Sequence, residues 1–246
     1  MNNTLTQYAG FLDILKHLIR IPSVVGDEHP FFLSLKREHD ELGIKTTLYE
    51  GLLVAEGSEP ERGMISAQLD NVFSAAVIIY LYSCGYTGTA FFTAQEEAGK
   101  SWRFLLEWFR RHDISTDRLL VLDTSPYINT YEAQKQHLVL RNRDANAKFD
   151  SPLTKEIEEL CNSLNISFSF KDSYLLKENE RLLSEGMSIN SLGSTEMGRI
   201  IVASEGSIQG TTLQIPTTGY HTTSETLSVE SASKMLELLK TMYIDK

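Results

Sequence analysis

Two adjacent carboxylates follow an apolar run in the stretch Phe91-Phe92-Thr93-Ala94-Gln95-Glu96-Glu97-Ala98-Gly99. The apolar part predicts a strand over Ala90 to Ala94, so Glu96 and Glu97 come where that strand ends. α/β enzymes keep their chemistry at this edge of the sheet. Neighbouring side chains leave a strand end in different directions, so one carboxylate can bind a metal while the other moves a proton. The alternative is a solvated acidic loop, in a chain with 33 Asp plus Glu residues.

Strand and helix patterns alternate on both sides of this stretch. Val72 to Cys84 is apolar on most faces, which is typical of a helix that packs against a sheet. Because this alternation favours parallel strand pairing, we expect an α/β fold. The other predicted helices are Leu5 to Ile19, Phe31 to Leu42, Trp102 to Arg111, Leu153 to Leu164, Tyr174 to Ser184, Thr195 to Ala203 and Val229 to Tyr243. The other predicted strands are Ile44 to Leu48, Leu52 to Glu56, Met64 to Leu69, Leu119 to Leu122, His137 to Leu140, Ile166 to Phe170 and Thr212 to Ile215, the last ending at Pro216.

The composition fits one globular domain over residues 1–246. The chain is 41% hydrophobic and 23% charged, which is enough apolar content for a substantial core. Its formal net charge is -10, its pI is near 5.1, and no basic cluster interrupts the acidic balance. This charge argues against a nucleic-acid partner or an anionic membrane surface and favours a small, soluble substrate.

The cysteines and the N-terminus predict a cytoplasmic protein. Cys84 and Cys161 lie in apolar helical patterns without metal-ligand spacing, so buried free thiols are expected rather than a disulfide. Met1-Asn2-Asn3-Thr4 contains no basic stretch leading into an apolar core. No segment approaches the ~20 apolar residues of a membrane span. We therefore expect neither secretion nor membrane insertion.

Three further metal-ligand residues fall at predicted strand ends: Asp70, Asp123 and His221. With Glu96 and Glu97 they offer oxygen and nitrogen donors that suit divalent metals. Each has a structural alternative, with Asp70 as a helix N-cap, Asp123 as a turn cap and His221 as one of six ordinary histidines. Because parallel strands align their carboxyl ends on one edge of a sheet, the joint occurrence favours a metal site.

Four segments of the chain carry a resemblance to a known family, and they come in that family's order. They are Leu69-Asp70-Asn71, Phe92-Thr93-Ala94-Gln95-Glu96-Glu97-Ala98-Gly99, Val121-Leu122-Asp123-Thr124-Ser125, and Ile215-Pro216-Thr217 through His221-Thr222-Thr223-Ser224-Glu225. The chain resembles the cocatalytic dinuclear metallo-aminopeptidases that assemble as tetrahedral shells, also known as glutamyl aminopeptidase or endoglucanase-like proteins. Ser194-Thr195-Glu196-Met197-Gly198 resembles a small-residue turn of that family, although Glu196 stands where its members usually carry aspartate. The resemblance runs from Leu69 to the C-terminus. It implies a three-layer zinc-exopeptidase-like domain with a central mixed, mainly parallel sheet flanked by helices.

The resemblance implies a role for each matched residue. Asp70 would bridge two divalent ions, which in this family are zinc, cobalt or manganese. Glu97 and His221 would complete the shell of one ion, and Asp123 would ligate the other. Glu96 would be the general base that takes a proton from metal-activated water and returns it to the leaving amine. The implied partners are short peptides with a free amino terminus and further copies of the chain in a homo-oligomer.

The chain departs from the family pattern at one metal ligand and at the lid. Family members carry an earlier His-x-Asp motif, followed by an inserted β-domain that covers the site and contributes to assembly. Here Ile65-Ser66-Ala67 resembles the lead-in to His-x-Asp, and Leu69-Asp70-Asn71 resembles the later bridging motif. The lid is thus missing at about 66–69, as in a naturally lidless variant, an engineered deletion or a sequence from which a segment is omitted.

A second alignment places Gln68 at the position of the missing histidine. Asp70 would then be an orienting carboxylate outside the metal shell, and Asn71 would have no assigned role. The bridging alignment is preferred because an apolar helix normally follows the bridging aspartate directly. One imidazole is missing on either alignment, and His29 replaces it only if the fold brings it near. We therefore predict a weakened first metal site, since ligand number and type set affinity.

Three functions fit these patterns. The leading hypothesis is a metal-dependent aminopeptidase that acts on short peptides with Glu96 as its base. The missing histidine and lid motivate a second, a non-catalytic peptide-binding or assembly member of the same fold. A third is a deacylase of small amides on the same scaffold, which would not require a free α-amine in its substrate.

Overall fold

Helices make up much of the chain in the computed structural model, which describes residues 9–21, 27–42, 44–49, 52–56, 71–219 and 225–245. Several helices begin at side-chain caps that satisfy their first free N–H groups. Ser151 Oγ accepts from the N–H of Leu153, and Thr195 Oγ1 accepts from that of Gly198. The described helices are α1 (Ala9–Leu18), α2 (His29–Glu41), α3 (Val72–Ser83), α4 (Ser101–Arg111), α5 (Thr130–Ala133), α6 (Pro152–Ser163), α7 (Lys171–Ser184), α8 (Glu196–Ala203) and α9 (Val229–Tyr243).

The described strands form two sheets. They are β1 (Lys45–Tyr49), β2 (Leu52–Glu56), β3 (Thr89–Thr93), β4 (Thr116–Pro126), β5 (Leu138–Leu140), β6 (Phe168–Phe170), β7 (Ile208–Thr218) and β8 (Thr226–Leu227). The first three make an antiparallel sheet in the order β1-β2-β3. The second sheet has the order β4-β7-β5-β6, with β8 paired to β7. Within it β4 and β7 are parallel, as are β5 and β6, whereas β7 pairs antiparallel with β5 and β8.

Helices pack on both faces of these strands. The larger apolar core joins α1, α2, α3 and α9 to the strands, with Phe11, Phe73 and Leu238 almost fully buried. A second core lies between α4, α8 and β7, where Leu105, Met197 and Ile208 are buried. The predicted α/β class, with a mixed sheet between two helical layers, is confirmed. Among the described residues, no helix is both long and apolar enough to cross a membrane.

Two strands extend beyond their predicted ends. β4 continues past Leu122 to Pro126, and β7 runs from Ile208 through Pro216 to Thr218. The prediction that β7 ends at Pro216 is wrong. Pro216 pairs with Ser125 of β4 and lies between the stretch of β7 that pairs with β5 and the stretch that pairs with β8. A missing N–H is tolerated there because it interrupts neither of those antiparallel ladders.

Both cysteines, Cys84 and Cys161, are free, as predicted. Only Cys161 of the two is buried, whereas Cys84 is half-buried. The predicted strand from Met64 to Leu69 lies outside the described residues, as do the possible lid site at about 66–69, Asp70 and His221.

Candidate active site

The glutamate pair lies in a tight turn directly after β3. Gln95 adopts a left-handed conformation with φ of 58°, and the N–H of Gly99 donates to the carbonyl of Glu96 at 2.6 Å. The carboxylate of Glu28, just before α2, accepts from the N–H of Gln95 at 2.9 Å. The turn is therefore held both by its own backbone and by a side chain that lies 67 residues earlier in the chain.

The two carboxylates of the turn differ in their exposure to solvent. Glu96 is half-buried and Glu97 is exposed. Arg199 Nη1 lies 3.9 Å from Glu96 Oε1. The same guanidinium lies against Gly99, where an added Cβ would come within 3.1 Å of Arg199 Nη1. The absence of a side chain at Gly99, together with its φ of 64°, thus lets a positive charge approach the Glu96 side of the turn.

Glu196 is a third carboxylate at this place, and its role was not predicted from the sequence. It is the first residue of α8, and its oxygens accept from Thr93 Oγ1 at 3.3 and 3.5 Å. Burial raises the pKa of Glu196 to about 7, and the negative charge of Glu96 adds to that shift. The only signal in the sequence is the replacement of a family aspartate by the longer glutamate, which reaches β3.

Asp123 lies inside β4 rather than at its end. Its Oδ1 accepts from the N–H of Thr124 at 2.7 Å, and its Oδ2 accepts from Gln214 Nε2 at 3.0 Å. Because the strand continues to Pro126, the alternative in which Asp123 caps a turn at 124–126 is wrong. Both carboxylate oxygens therefore have donors that fix the orientation of the group.

A buried arginine lies behind Asp123. Arg141 donates from Nε to Gln214 Oε1 at 2.9 Å and from Nη1 to the carbonyl of Leu192 at 2.7 Å. Burial lowers the pKa of Arg141, while the carboxylates of Asp123, Asp144 and Asp172 oppose that shift. The guanidinium is thus a positive charge shared among three acidic side chains.

The segment that begins α3 is tied to the strand that carries Asp123. Asn71 occupies the N-cap position of α3 without a side-chain cap hydrogen bond, and the alternative in which Asp70 is the N-cap lies outside the described residues. The side chain of Asn71 donates instead to the carbonyl of Leu122 at 2.9 Å. The residue after Asp70 therefore contacts the residue before Asp123, which gives Asn71 a definite structural role.

A cavity of about 500 Å³ lies between β3 and β4, the facing edge strands of the two sheets. Apolar residues of α3, β3 and β4 line most of it, and Glu28, Asn71, Glu96, Glu97 and Glu196 are among its polar lining residues. The glutamate turn thus faces this cavity, whereas Asp123 is not one of its lining residues and only its neighbour Leu122 is. The donors there are hard carboxylate oxygens, which fit a divalent ion. Within the described ranges, no three or more His, Cys, Asp or Glu side chains lie together in a group that could hold a metal ion.

Among the described residues, His29 lies near the glutamate turn, as a replacement for the imidazole that the sequence predicts to be missing would have to. His29 is the exposed first residue of α2, and it follows Glu28, which binds the backbone of Gln95. The fold therefore brings the His29 segment close to the glutamate turn. The prediction that His29 is a surface histidine is confirmed by its exposure.

The comparisons with known proteins support this fold. No family model and no curated protein matches the chain. A TET aminopeptidase from a marine-sediment Thaumarchaeota archaeon is 14% identical, with a TM-score of 0.53 over 81% of this chain and 51% of that chain. The Pyrococcus horikoshii TET1 peptidase, which can assemble into a tetrahedron or a large octahedral shell, is 17% identical, with a TM-score of 0.51 over 82% and 53%.

A further peptidase matches over nearly all of both chains. The Bacillus subtilis YxeP protein, a dinuclear metal-binding peptidase of the M20 family, is 11% identical, with a TM-score of 0.56 over 98% of both chains. This chain thus spans about half of the length of the TET peptidases and nearly all of the length of the M20 peptidase. At these identities the likeness shows a fold. The predicted zinc-exopeptidase-like architecture is confirmed as the fold that this chain shares with these peptidases.

Proposed function

We propose that this protein is a metal-dependent aminopeptidase that removes N-terminal residues from short peptides, with Glu96 as the general base. The observation that supports this most directly is the shared cavity between β3 and β4. Glu96 and Glu97 line it, and so does Leu122, the residue that precedes Asp123 in β4. A proton-transfer group and metal-ligand groups are needed close together for hydrolysis.

The proposed metal ligands are Asp70, Glu97, Asp123 and His221. Divalent ions such as zinc, cobalt or manganese would lower the pKa of water and polarise the scissile carbonyl when bound. Asp123 supports this assignment because its carboxylate is already oriented by Thr124 and Gln214. Asp70 and His221 are assigned from the family motifs alone.

Glu96 is proposed to move the proton. Its carboxylate takes a proton from the attacking water and delivers it to the amine that leaves, so the group ends each turnover as it began. Arg199, at 3.9 Å from Glu96 Oε1, limits the positions of that carboxylate. The turn conformation and the bond from Gln95 to Glu28 fix the backbone that carries it. Such positioning is a large part of what a catalytic base contributes.

The proposal includes a single peptidase domain over residues 1–246 without the inserted lid at about 66–69. The structural similarity of this chain to an M20 peptidase, over 98% of both chains, supports this arrangement. The assembly of the TET1 peptidase into shells also supports association of copies of this chain. Light scattering on the purified protein tests that part, and a monomeric mass at all concentrations would contradict it.

Matched peptide substrates test the proposed reaction. Protein stripped with a chelator and reloaded with zinc, cobalt or manganese is assayed on an aminoacyl chromogenic amide and on its N-acetylated counterpart. We expect metal-dependent hydrolysis of the free-amine substrate alone. Cleavage of the acetylated substrate would indicate a deacylase instead. Binding of peptides without hydrolysis under every metal would indicate a non-catalytic member of the fold.

A further inference from the structure

We infer that Gln214 and Arg141 form a buried relay that positions the carboxylate of Asp123 for metal binding. This inference rests on the proposed function, because it assigns a task to two side chains behind a proposed ligand. Gln214 and Arg141 are 2% and 6% exposed, respectively, so neither is available to substrate. They are positioning residues, which act through Asp123.

The amide of Gln214 links three groups at once. Its Nε2 donates to Asp123 Oδ2 at 3.0 Å and to the carbonyl of Thr124 at 2.7 Å. Its Oε1 accepts from Arg141 Nε at 2.9 Å. Gln214 and Asp123 are also paired in register across the parallel strands β4 and β7. The amide therefore links β4 and β7, with Nε2 donating twice and Oε1 accepting from Arg141.

Arg141 determines which way this amide points. A guanidinium has N–H donors and no acceptor, so only the oxygen end of the amide can face it. The nitrogen end must then face Asp123, and the carboxylate receives a donor rather than a repulsive oxygen. A chain of donors thus runs from Arg141 through Gln214 to Asp123.

Arg141 is itself held in place. Its Nη1 donates to the carbonyl of Leu192 at 2.7 Å, and the acidic groups of Asp144 and Asp172 lie close enough to influence it electrostatically. Asp144 is fully buried and bound to the N–H of Thr195 at 2.7 Å. The relay is therefore anchored in the loop before α8 and not in a mobile surface group.

Orientation of a ligand by buried partners is a general feature of metal sites. Loss of such a partner typically lowers metal affinity by about 10- to 100-fold. In Asp123 one oxygen is held by the N–H of Thr124 and the other by Gln214. Without the Gln214 donor, Oδ2 of Asp123 loses a buried partner that fixes its direction, so the carboxylate is less well oriented toward an ion.

Three variants test this inference by metal affinity and not by activity. The dissociation constant of Co²⁺ or Mn²⁺ is measured by calorimetry for wild type, Gln214→Met, Asp123→Asn and Gln136→Met. The last is a matched control, because Gln136 is also a buried glutamine, at 7% exposure, whose Nε2 donates to the carbonyls of Glu132 and Ala133. We expect Gln214→Met to weaken binding by about 10- to 100-fold and to change the Co²⁺ absorption spectrum, with Gln136→Met close to wild type.

The reference variant separates failure of this inference from failure of the proposed function. If Asp123→Asn weakens binding while Gln214→Met matches Gln136→Met, Asp123 is a ligand and the relay is refuted. If Asp123→Asn binds as wild type does, Asp123 is not a ligand and both assignments fail. A drop in affinity for Asp123→Asn and Gln214→Met, without one for Gln136→Met, supports the relay.

A measurement on the unaltered protein keeps the test valid if Gln214→Met does not fold. The side-chain NH₂ signals of Gln214 and Gln136 are followed by NMR during titration with Zn²⁺, which is diamagnetic. We expect the Gln214 signals to shift with saturation of the site and those of Gln136 to stay in place. Unmoved Gln214 signals at saturating Zn²⁺ would overturn the inference.

Discussion

Two glutamates that are 100 residues apart in sequence, Glu96 and Glu196, lie in one corner of the molecule. Glu196 accepts from the Thr93 hydroxyl, and its pKa is raised to about 7 by burial and by the charge of Glu96. A neutral carboxyl is therefore more stable there than a charged one. When the pH rises above about 7, Glu196 becomes charged in a buried position, which lowers the stability of the folded protein. This effect on stability can be measured separately from the proposed role of Glu96 in catalysis.

Replacement of Glu196 by an uncharged side chain should stabilise the protein, and the gain should depend on pH. The unfolded chain loses this proton near the ordinary glutamate pKa of 4.5, but the folded protein keeps it until about pH 7, the raised pKa of Glu196. The free energy of unfolding therefore falls between these values, and the loss is complete above pH 7. Metal-free Glu196→Gln should exceed wild type by about 1 to 3 kcal/mol at pH 8 and match it at pH 4.

Denaturant unfolding at both pH values measures this difference. Glu205→Gln is the control, since Glu205 is an exposed glutamate just after the other end of α8. It should change stability little at either pH. Equal stability of Glu196→Gln and wild type at pH 8 would show that Glu196 carries no such penalty.

Among the elements, α8 depends on a buried aspartate outside the helix. Asp144 is fully buried and accepts from the N–H of Thr195 at 2.7 Å and from Thr195 Oγ1 at 3.0 Å. It also accepts from the N–H groups of Asn146 and Ala147, at 2.7 and 2.9 Å. This carboxylate fixes the start of the helix from which Glu196 and Arg199 reach the glutamate turn.

Removal of this aspartate should destabilise the protein strongly. Asp144→Ala leaves several buried donors without an acceptor, and each such group costs about 1 to 3 kcal/mol. We expect a loss of roughly 3 kcal/mol or more, measured by chemical denaturation. Asp150→Ala is the matched control, because Asp150 is exposed and pairs with Lys148 on the surface. Similar losses in the two variants would contradict the role of Asp144.

The bounds of helices and strands were predicted correctly where an apolar pattern or a capping residue marks them in the sequence. α9 has the predicted bounds, Val229–Tyr243, because Ser228 caps it and an apolar stripe runs along it. β4 and β7 were predicted too short because their buried ends are polar, as at Thr124 and Thr211. An apolar pattern cannot reveal such residues, since their burial depends on partners in other strands.

The candidate site was likewise predictable only where its residues lie next to an apolar strand in the sequence. The glutamate turn and Asp123 were found because each is close to an apolar strand. Gln214 and Arg141 had no local signal, since they act on Asp123 from positions 91 and 18 residues away in sequence. The contact of Glu28 with the turn is equally long-range, so only the fold reveals it.

For the whole molecule, metal content tests the prediction that the first metal site is weakened. The proposed ligand set includes an imidazole, that of His221, for one ion and none for the other. We therefore expect one tightly bound ion per chain after dialysis, with the other lost, because fewer and weaker ligands lower affinity. Elemental analysis and native mass spectrometry measure this number. Two tightly bound ions per chain would refute the prediction of a weakened site. That result would indicate a further ligand, and His29→Ala would be the first variant to test for loss of one ion.

Catalysis by Glu96 is the central claim, and one substitution tests it most directly. Glu96→Gln keeps the size of the side chain and removes its ability to accept a proton, so kcat on an aminoacyl chromogenic amide should fall by about 100- to 10,000-fold. Metal content, measured on the same sample, should stay at the wild-type value, whereas Glu97→Gln should lose metal. A Glu96→Gln protein that retains its metal and the wild-type kcat would contradict the account.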